Sequence, residues 1–277
     1  MDEATRPLLT ATDVRRLLDG AGHAARRSLG QNFVVDPNTI RRIVSLARVE
    51  PGDRVLEIGP GLGSLTLGLL EAGTSVVAIE KDRRLASLLR EVVGPSVEIV
   101  EGDALDVDLP RIVGDEPTAV IANLPYNVAT PLVLRVLDDV AAVDRMLVMV
   151  QKEVGERLVA RPATGAYGIP SLRVAFHADA ELVGSVSPTV FHPRPRVTSA
   201  LVLVRRLPAP RVEVADPDRM WRLVRVAFGQ RRKTLRRSLT GLVDEAAFDA
   251  AGIDPAERPE RLGLAEFAAL ADAGSPS

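Results

Sequence analysis

The chain has 277 residues, 46% of them apolar, and a net charge of −2, which is material for a catalytic domain of about 200 residues with a smaller appendage. It contains no cysteine, which excludes disulfides, thiolate zinc sites, cysteine nucleophiles and cysteine-liganded zinc deaminase chemistry; His23, His177 and His192 stand at no ligand spacing, so no metal is expected. No apolar run approaches the roughly 18 residues of a membrane span, and the acidic start Met1-Asp-Glu-Ala-Thr5 is unlike an export signal, so a soluble, cytoplasmic protein with no membrane partner is expected.

In chain order, Asp36-Pro37 caps a predicted helix running to about Arg48. Strands are then predicted at Arg54–Ile58, Ser75–Ile79, Val97–Val100, Ala119–Ala122 and Met146–Val150, each aliphatic and bounded by Gly, Pro or charge. Between them, 64–71, 83–92 and 130–137 carry apolar residues at helical spacing. Such alternation predicts an α/β domain with a mostly parallel sheet. Two later runs, around Arg173 to Val183 and Ser199 to Val204, read as a closing antiparallel pair. After Leu207-Pro-Ala-Pro210 only helices are predicted, from near Pro217 past Glu266, which divides the chain into 1–207 and a helical 208–277.

The chemistry sits at successive strand ends. The first strand leads into Glu57-Ile-Gly59-Pro-Gly61-Leu-Gly63 and at once a helix, where glycines let backbone amides approach a ligand. The Gly-x-Gly-x-Gly spacing departs from the Gly-x-Gly-x-x-Gly of dinucleotide folds and disfavours a pyrophosphate ligand and an oxidoreductase. The second strand ends at Glu80, about 20 residues on, where a carboxylate can accept hydrogen bonds from both ribose hydroxyls, and the third at Asp103, where one can accept from an adenine amino group. A nucleoside ligand is implied. The fourth ends in Asn123-Leu124-Pro125-Tyr126. This pattern resembles that of amino-directed nucleic-acid methyltransferases, whose target, an adenine amino nitrogen, is a weak nucleophile because its lone pair is delocalised into the ring. Two acceptors, the Asn123 side-chain oxygen and a backbone carbonyl near Leu124, can hold its hydrogens and turn the lone pair toward an electrophile, so no strong base is needed. Tyr126 can stack on a base taken out of its helix.

Together these segments resemble the KsgA (RsmA) family of small-subunit ribosomal RNA adenine dimethyltransferases, whose wider relatives include the Erm resistance methyltransferases. The resemblance spans nearly the whole chain. It implies a Rossmann-like class I methyltransferase domain with a small C-terminal helical domain, and S-adenosylmethionine as methyl donor. Arg27-Ser-Leu-Gly-Gln-Asn-Phe33 resembles the family's N-terminal motif, in which Gln31, Asn32 and the backbone near Val34 close over the methionine part of the donor. Gly59, Gly61, Glu80, Asp103 and Asn123 match the family's donor contacts. Gln151-Lys-Glu-Val-Gly-Glu-Arg157 resembles the segment after the fifth strand, and Phe191-His-Pro-Arg-Pro-Arg-Val-Thr-Ser199 resembles a motif whose Phe191 would sandwich the target adenine against Tyr126. In the loop Arg161 to Ser171 the chain departs from relatives: Gly165 stands where a polar residue is frequent and Pro170 where an apolar one is usual.

Phe228-Gly-Gln-Arg-Arg-Lys-Thr-Leu-Arg-Arg-Ser-Leu239 and Gly252-Ile-Asp-Pro255 resemble the KsgA branch rather than the Erm one. Residues 205–240 hold 11 Arg and Lys against 3 acids, whereas 241–277 hold 2 Arg against 8 acids. Arg231, Arg232, Lys233, Arg236 and Arg237 fall within two helical turns and could meet a phosphate backbone along one side. With 3% aromatic residues, recognition of structured RNA by shape and phosphate is expected over broad stacking. The resemblance implies two methyls on each of two adjacent adenines near the 3′ end of small-subunit RNA; a pre-ribosomal small subunit is the expected partner, and the chain is taken to be a monomer. An Erm-like enzyme acting on large-subunit RNA and an assembly factor whose binding dominates are the alternatives.

Overall fold

The computed structural model describes residues 6–22 and 31–274; His23 and the Arg27–Gly30 half of the N-terminal motif lie outside them. The helices are α1 (Ala11–Gly20), α2 (Pro37–Ala47), α3 (Ser64–Glu71), α4 (Arg83–Val93), α5 (Leu109–Val113), α6 (Ala129–Asp139), α7 (Lys152–Leu158), α8 (Ile169–His177), α9 (Pro217–Gly229), α10 (Leu235–Ser238), α11 (Glu245–Ala251) and α12 (Leu264–Ala273). The strands are β1 (Phe33–Val34), β2 (Arg54–Ile58), β3 (Ser75–Glu80), β4 (Glu98–Glu101), β5 (Thr118–Asn123), β6 (Val143–Gln151), β7 (Ala178–Val186), β8 (Phe191–His192) and β9 (Ser199–Arg206).

Seven strands form one sheet in the order β4-β3-β2-β5-β6-β9-β7. The pairs β2/β3, β3/β4, β2/β5 and β5/β6 are parallel, and β9 runs antiparallel to β6. Consecutive buried residues such as Val76, Val77, Ala78 and Ile79 mark strands covered on both faces, which is why these segments read as continuous apolar runs. The chain winds outward from β2 through β3 to β4 and then crosses back to β5. The order therefore reverses between β2 and β5, and a ligand crevice belongs at their carboxyl ends.

Two compact units result: Met1–Gly155 with Ala180–Arg206, and Glu156–Asp179 with Leu207–Ser277. This differs from a single division at residue 207: the second unit also takes in 156–179, which the sequence division places in 1–207. The reason is burial: Tyr167, Leu172 and Phe176 pack with Met220, Trp221, Leu223, Phe248 and Phe267 in one apolar core. Phe176 meets Trp221 edge-on at 5.4 Å between centroids, and the Tyr167 hydroxyl donates to the Leu262 carbonyl at 2.9 Å.

The strand expected from Arg173 instead starts at Ala178, and residues 169–177 are α8. Pro170 sits in its first turn, where its fixed φ suits a helix. The Ser171 hydroxyl accepts from the Gly168 N–H at 3.1 Å and donates to the Arg157 carbonyl at 2.6 Å. Alternating burial of Leu172, Val174 and Phe176 gave this helix the look of a strand.

Candidate active site

At the carboxyl ends of β2, β3 and β5, within the first unit, lies a cavity of about 440 Å³. Its wall includes Gly59, Pro60 and Gly61 from the turn after β2, Glu80 to Arg83 after β3, Asp103 and Ala104 after β4, Asn123 and Pro125 after β5, and Gln31 to Val34 from the N-terminal segment. Gln31, Asn32, Val34, Gly59, Gly61, Glu80, Asp103, Asn123 and Pro125, all named from sequence, thus share one space.

The glycine turn works by close approach. Gly61 has φ +60°, and a Cβ there would stand 2.8 Å from Phe33 Cε1, so a side chain is excluded twice over. Its N–H donates to Glu80 Oε2 at 3.0 Å, and the Asp82 N–H donates to Glu80 Oε1 at 2.8 Å. Glu80 is therefore fixed by two backbone donors on two different loops. Burial pushes its carboxyl above the usual range, opposed by those amides.

Beside it, Asp103 forms an ion pair with Lys81 that holds its carboxyl below the ordinary value, aided by the Leu105 N–H at 3.0 Å. Arg135 of α6 clamps the same turn, donating to the Ala104 carbonyl at 2.6 Å and the Val107 carbonyl at 2.7 Å. Asp82 caps α4 through the Arg84 N–H at 3.0 Å and accepts from Gln31 Nε2 at 3.4 Å, tying the N-terminal segment to the second strand end.

Asn123 Nδ2 donates to the Asn32 carbonyl at 3.0 Å. With its amide nitrogen so engaged, the side chain's acceptor Oδ1 is directed away from Asn32. Leu124 is buried, its N–H donating to the Met149 carbonyl at 3.0 Å. Tyr126 is half-buried and its hydroxyl lies 2.9 Å from the fully buried Ser199 Oγ on β9. Neither Leu124 nor Tyr126 forms part of the cavity wall, and Phe191 does not either: 4% exposed, it packs in the core with Phe33 and Val34, against which β8 pairs.

Sequence reasoning passed over Glu57, Ser64, Lys81, Arg135 and Ser199. Glu57 and Ser64 line the cavity, yet Glu57 Oε2 and Ser64 Oγ are buried without a hydrogen-bond partner among the described residues. Burial raises the Glu57 carboxyl to about 8, with the Glu80 charge adding to the rise. The Thr66 hydroxyl offsets this only in part, since Oγ1 is itself buried with no hydrogen bond of good geometry. The available signal was an acid inside a strand otherwise buried on both faces.

The basic cluster belongs to the second unit and is not one helical face. It divides between the turn after α9 and the short α10. Arg231 is used internally, donating to the Gly165 carbonyl at 3.3 Å and lying 3.7 Å from Glu260. Lys233 donates to Gln230 Oε1 at 2.7 Å, and Arg236 pairs with Glu245 at 2.9 Å. Arg232 and Arg237 are exposed and form no ion pair with any described residue. Among the described residues there is no group of three metal-ligating side chains and no helix long and apolar enough to cross a membrane.

Comparison with known proteins agrees with this geometry. The chain is 50% identical to Ribosomal RNA small subunit methyltransferase A of Kineococcus radiotolerans, over 97% of this chain and 92% of the relative. It is 47% identical to the protein of the same name from Thermobifida fusca, over 98% of each. Among solved structures it is similar to the 23S rRNA methyltransferase ErmE, with TM-score 0.66, 29% identity and coverage of 87% of this chain and 99% of that one. A dimethyladenosine transferase from Plasmodium falciparum shares the fold at TM-score 0.70, 24% identical over 85% of this chain and 94% of that one. The profile of the ribosomal RNA adenine dimethylase family matches residues 22–273, and the chain belongs to that family.

Proposed function

We propose that the chain transfers methyl groups from S-adenosylmethionine to the exocyclic nitrogen of two adjacent adenosines near the 3′ end of small-subunit ribosomal RNA, two on each, acting as a monomer on a pre-ribosomal small subunit in the cytoplasm. One observation carries the reading: Asn123, its amide nitrogen occupied by the Asn32 carbonyl, stands on the wall of the cavity that also holds Glu80 and the Gly59–Gly61 turn. The residues fit the donor. Glu57 Oε2 and Ser64 Oγ are buried polar atoms on the cavity wall with no hydrogen-bond partner among the described residues, and the glycine turn leaves room where a Cβ would fill it. When bound, S-adenosylmethionine supplies an electrophilic methyl group on a sulfonium.

Every other contribution is the chain's own. Glu80 is pre-set by two backbone donors to accept from ribose hydroxyls, and Asp103 is placed to accept from the donor's adenine amino group. Gln31, Asn32 and Val34 cover the methionine end. Asn123 Oδ1 and the Leu124 carbonyl take the two hydrogens of the target amino group and point its lone pair at the methyl carbon. Tyr126, its hydroxyl tethered to Ser199, is the stacking platform for the target base. Phe191 packs in the core with Phe33 and Val34, outside the cavity wall. The identity of 44–50% to proteins named for the small subunit, against 29% to ErmE, favours the small subunit over large-subunit RNA.

The test is transfer of labelled methyl to unmodified small subunits, large subunits and naked RNA, with nucleosides read by mass spectrometry. Dimethyladenosine in small subunits alone is expected. Label in large-subunit RNA would move the reading to an Erm-like enzyme, and binding without label would leave an assembly factor. A second expectation concerns the turn: Gly61→Ala should weaken S-adenosylhomocysteine binding by about 5- to 150-fold, measured by calorimetry, because positive φ and the Phe33 contact displace the turn from its binding shape at a cost of about 1–3 kcal/mol.

A further inference from the structure

We propose that Arg194 and Arg196 form a phosphate grip for the RNA strand at the mouth of the catalytic unit, separate from the basic cluster after α9; this rests on the RNA methyltransferase reading above. The two arginines alternate with Pro193 and Pro195 in the stretch that joins β8 to β9. The two prolines fix φ at 193 and 195 and so stiffen the backbone that carries both arginines. Both are exposed, and neither forms an ion pair or hydrogen bond with a described residue, unlike Arg231 and Arg236 in the helical unit. No acid occurs between residues 182 and 212, so nothing along the chain there neutralises them.

The stretch is strapped to the site at both ends. On one side Phe191 and His192 pair with Val34 and Phe33, two residues of the cavity wall, and the Val35 N–H donates to the Val190 carbonyl at 2.9 Å. On the other, the Lys152 N–H donates to the Thr198 carbonyl at 3.0 Å, and Ser199 Oγ stands 2.9 Å from the hydroxyl of Tyr126. Seven residues, 192–198, thus bridge the donor-covering segment and the base-stacking tyrosine, with two unpaired guanidinium groups between them. A guanidinium engages phosphate oxygens through paired N–H donors, and a base drawn out toward Tyr126 brings its own flanking phosphates with it. Two such contacts would hold the strand beside the target nucleotide without reading its sequence.

The test is Arg194→Ala/Arg196→Ala beside Arg194→Lys/Arg196→Lys, both in the full chain, with binding to unmodified small subunits followed across salt concentrations and S-adenosylhomocysteine binding as the control for folding. The alanine pair should reduce the slope of log affinity against log salt by about 1.5, at roughly 0.7–0.9 per lost phosphate contact, and raise KM for subunits at least about tenfold. The lysine pair should recover the slope. A slope equal to that of the unaltered enzyme, or a lysine pair as weak as the alanine pair, overturns the proposal. If the unaltered enzyme leaves small subunits unlabelled, the underlying reading falls and the proposal with it.

Discussion

Asn123→Ala is expected to lower kcat/KM for methyl transfer by about 10²- to 10³-fold, the usual cost of removing one preorganised group aimed at the reacting centre. Asn123 does two things at once: Nδ2 is spent on the Asn32 carbonyl at 3.0 Å, and that bond orients Oδ1 as an acceptor. Alanine removes the acceptor. Asn123→Asp should also fail, because one of its oxygens would then face the Asn32 carbonyl oxygen with no hydrogen between them. Single-turnover transfer to small subunits measures the chemical step, and calorimetry with S-adenosylhomocysteine measures the donor site. Retention of more than a tenth of the parental rate in Asn123→Ala would remove Asn123 from the mechanism.

The second large effect is on stability against pH. Glu57 has its carboxyl raised by burial to about 8 from an ordinary 4.5. Between those values the folded chain holds a proton that the unfolded chain has lost. The contribution is therefore fully present below the ordinary value and disappears as pH rises through about 8. At 1.36 kcal/mol per unit the span is at most about 5 kcal/mol. Glu57→Gln, which keeps the shape without the charge, should flatten the loss of stability between about pH 5 and about pH 9 and be more stable than the parent at the alkaline end. Glu80, also raised by burial, supplies a slope of the same sign that this substitution leaves in place. Urea midpoints across that range decide the matter: parallel curves for the two proteins would mean that Glu57 stays ionised in the folded chain.

Much of the site was legible because it sits where strands end. Apolar runs bounded by glycine and acids place β2 to β5, and the turns after the carboxyl ends of those parallel strands border the crevice, where Glu80, Asp103 and Asn123 stand. Local features carried less where two conformations shared a pattern. Leu172, Val174 and Phe176 alternate as a strand would, yet Pro170 and Ser171 start a helix there. The cluster Arg231 to Arg237 reads as one basic face, but the chain turns between α9 and α10 and spends Arg231 on Gly165 and Glu260.

The sequence by itself determined the α/β class, the parallel strands, the glycine turn and the acids and amide at the strand ends, since each follows from residue type and spacing within a short stretch. Only the tertiary structure decided which side chains are already engaged. It gave Glu80 the Gly61 amide as a donor from 19 residues away, Asn123 its carbonyl partner 91 residues away, and Tyr126 its serine 73 residues away. It also buried Phe191 in the core and left Glu57 Oε2 without a hydrogen-bond partner among the described residues. These are facts of long-range contact and desolvation, which depend on what the rest of the chain brings alongside.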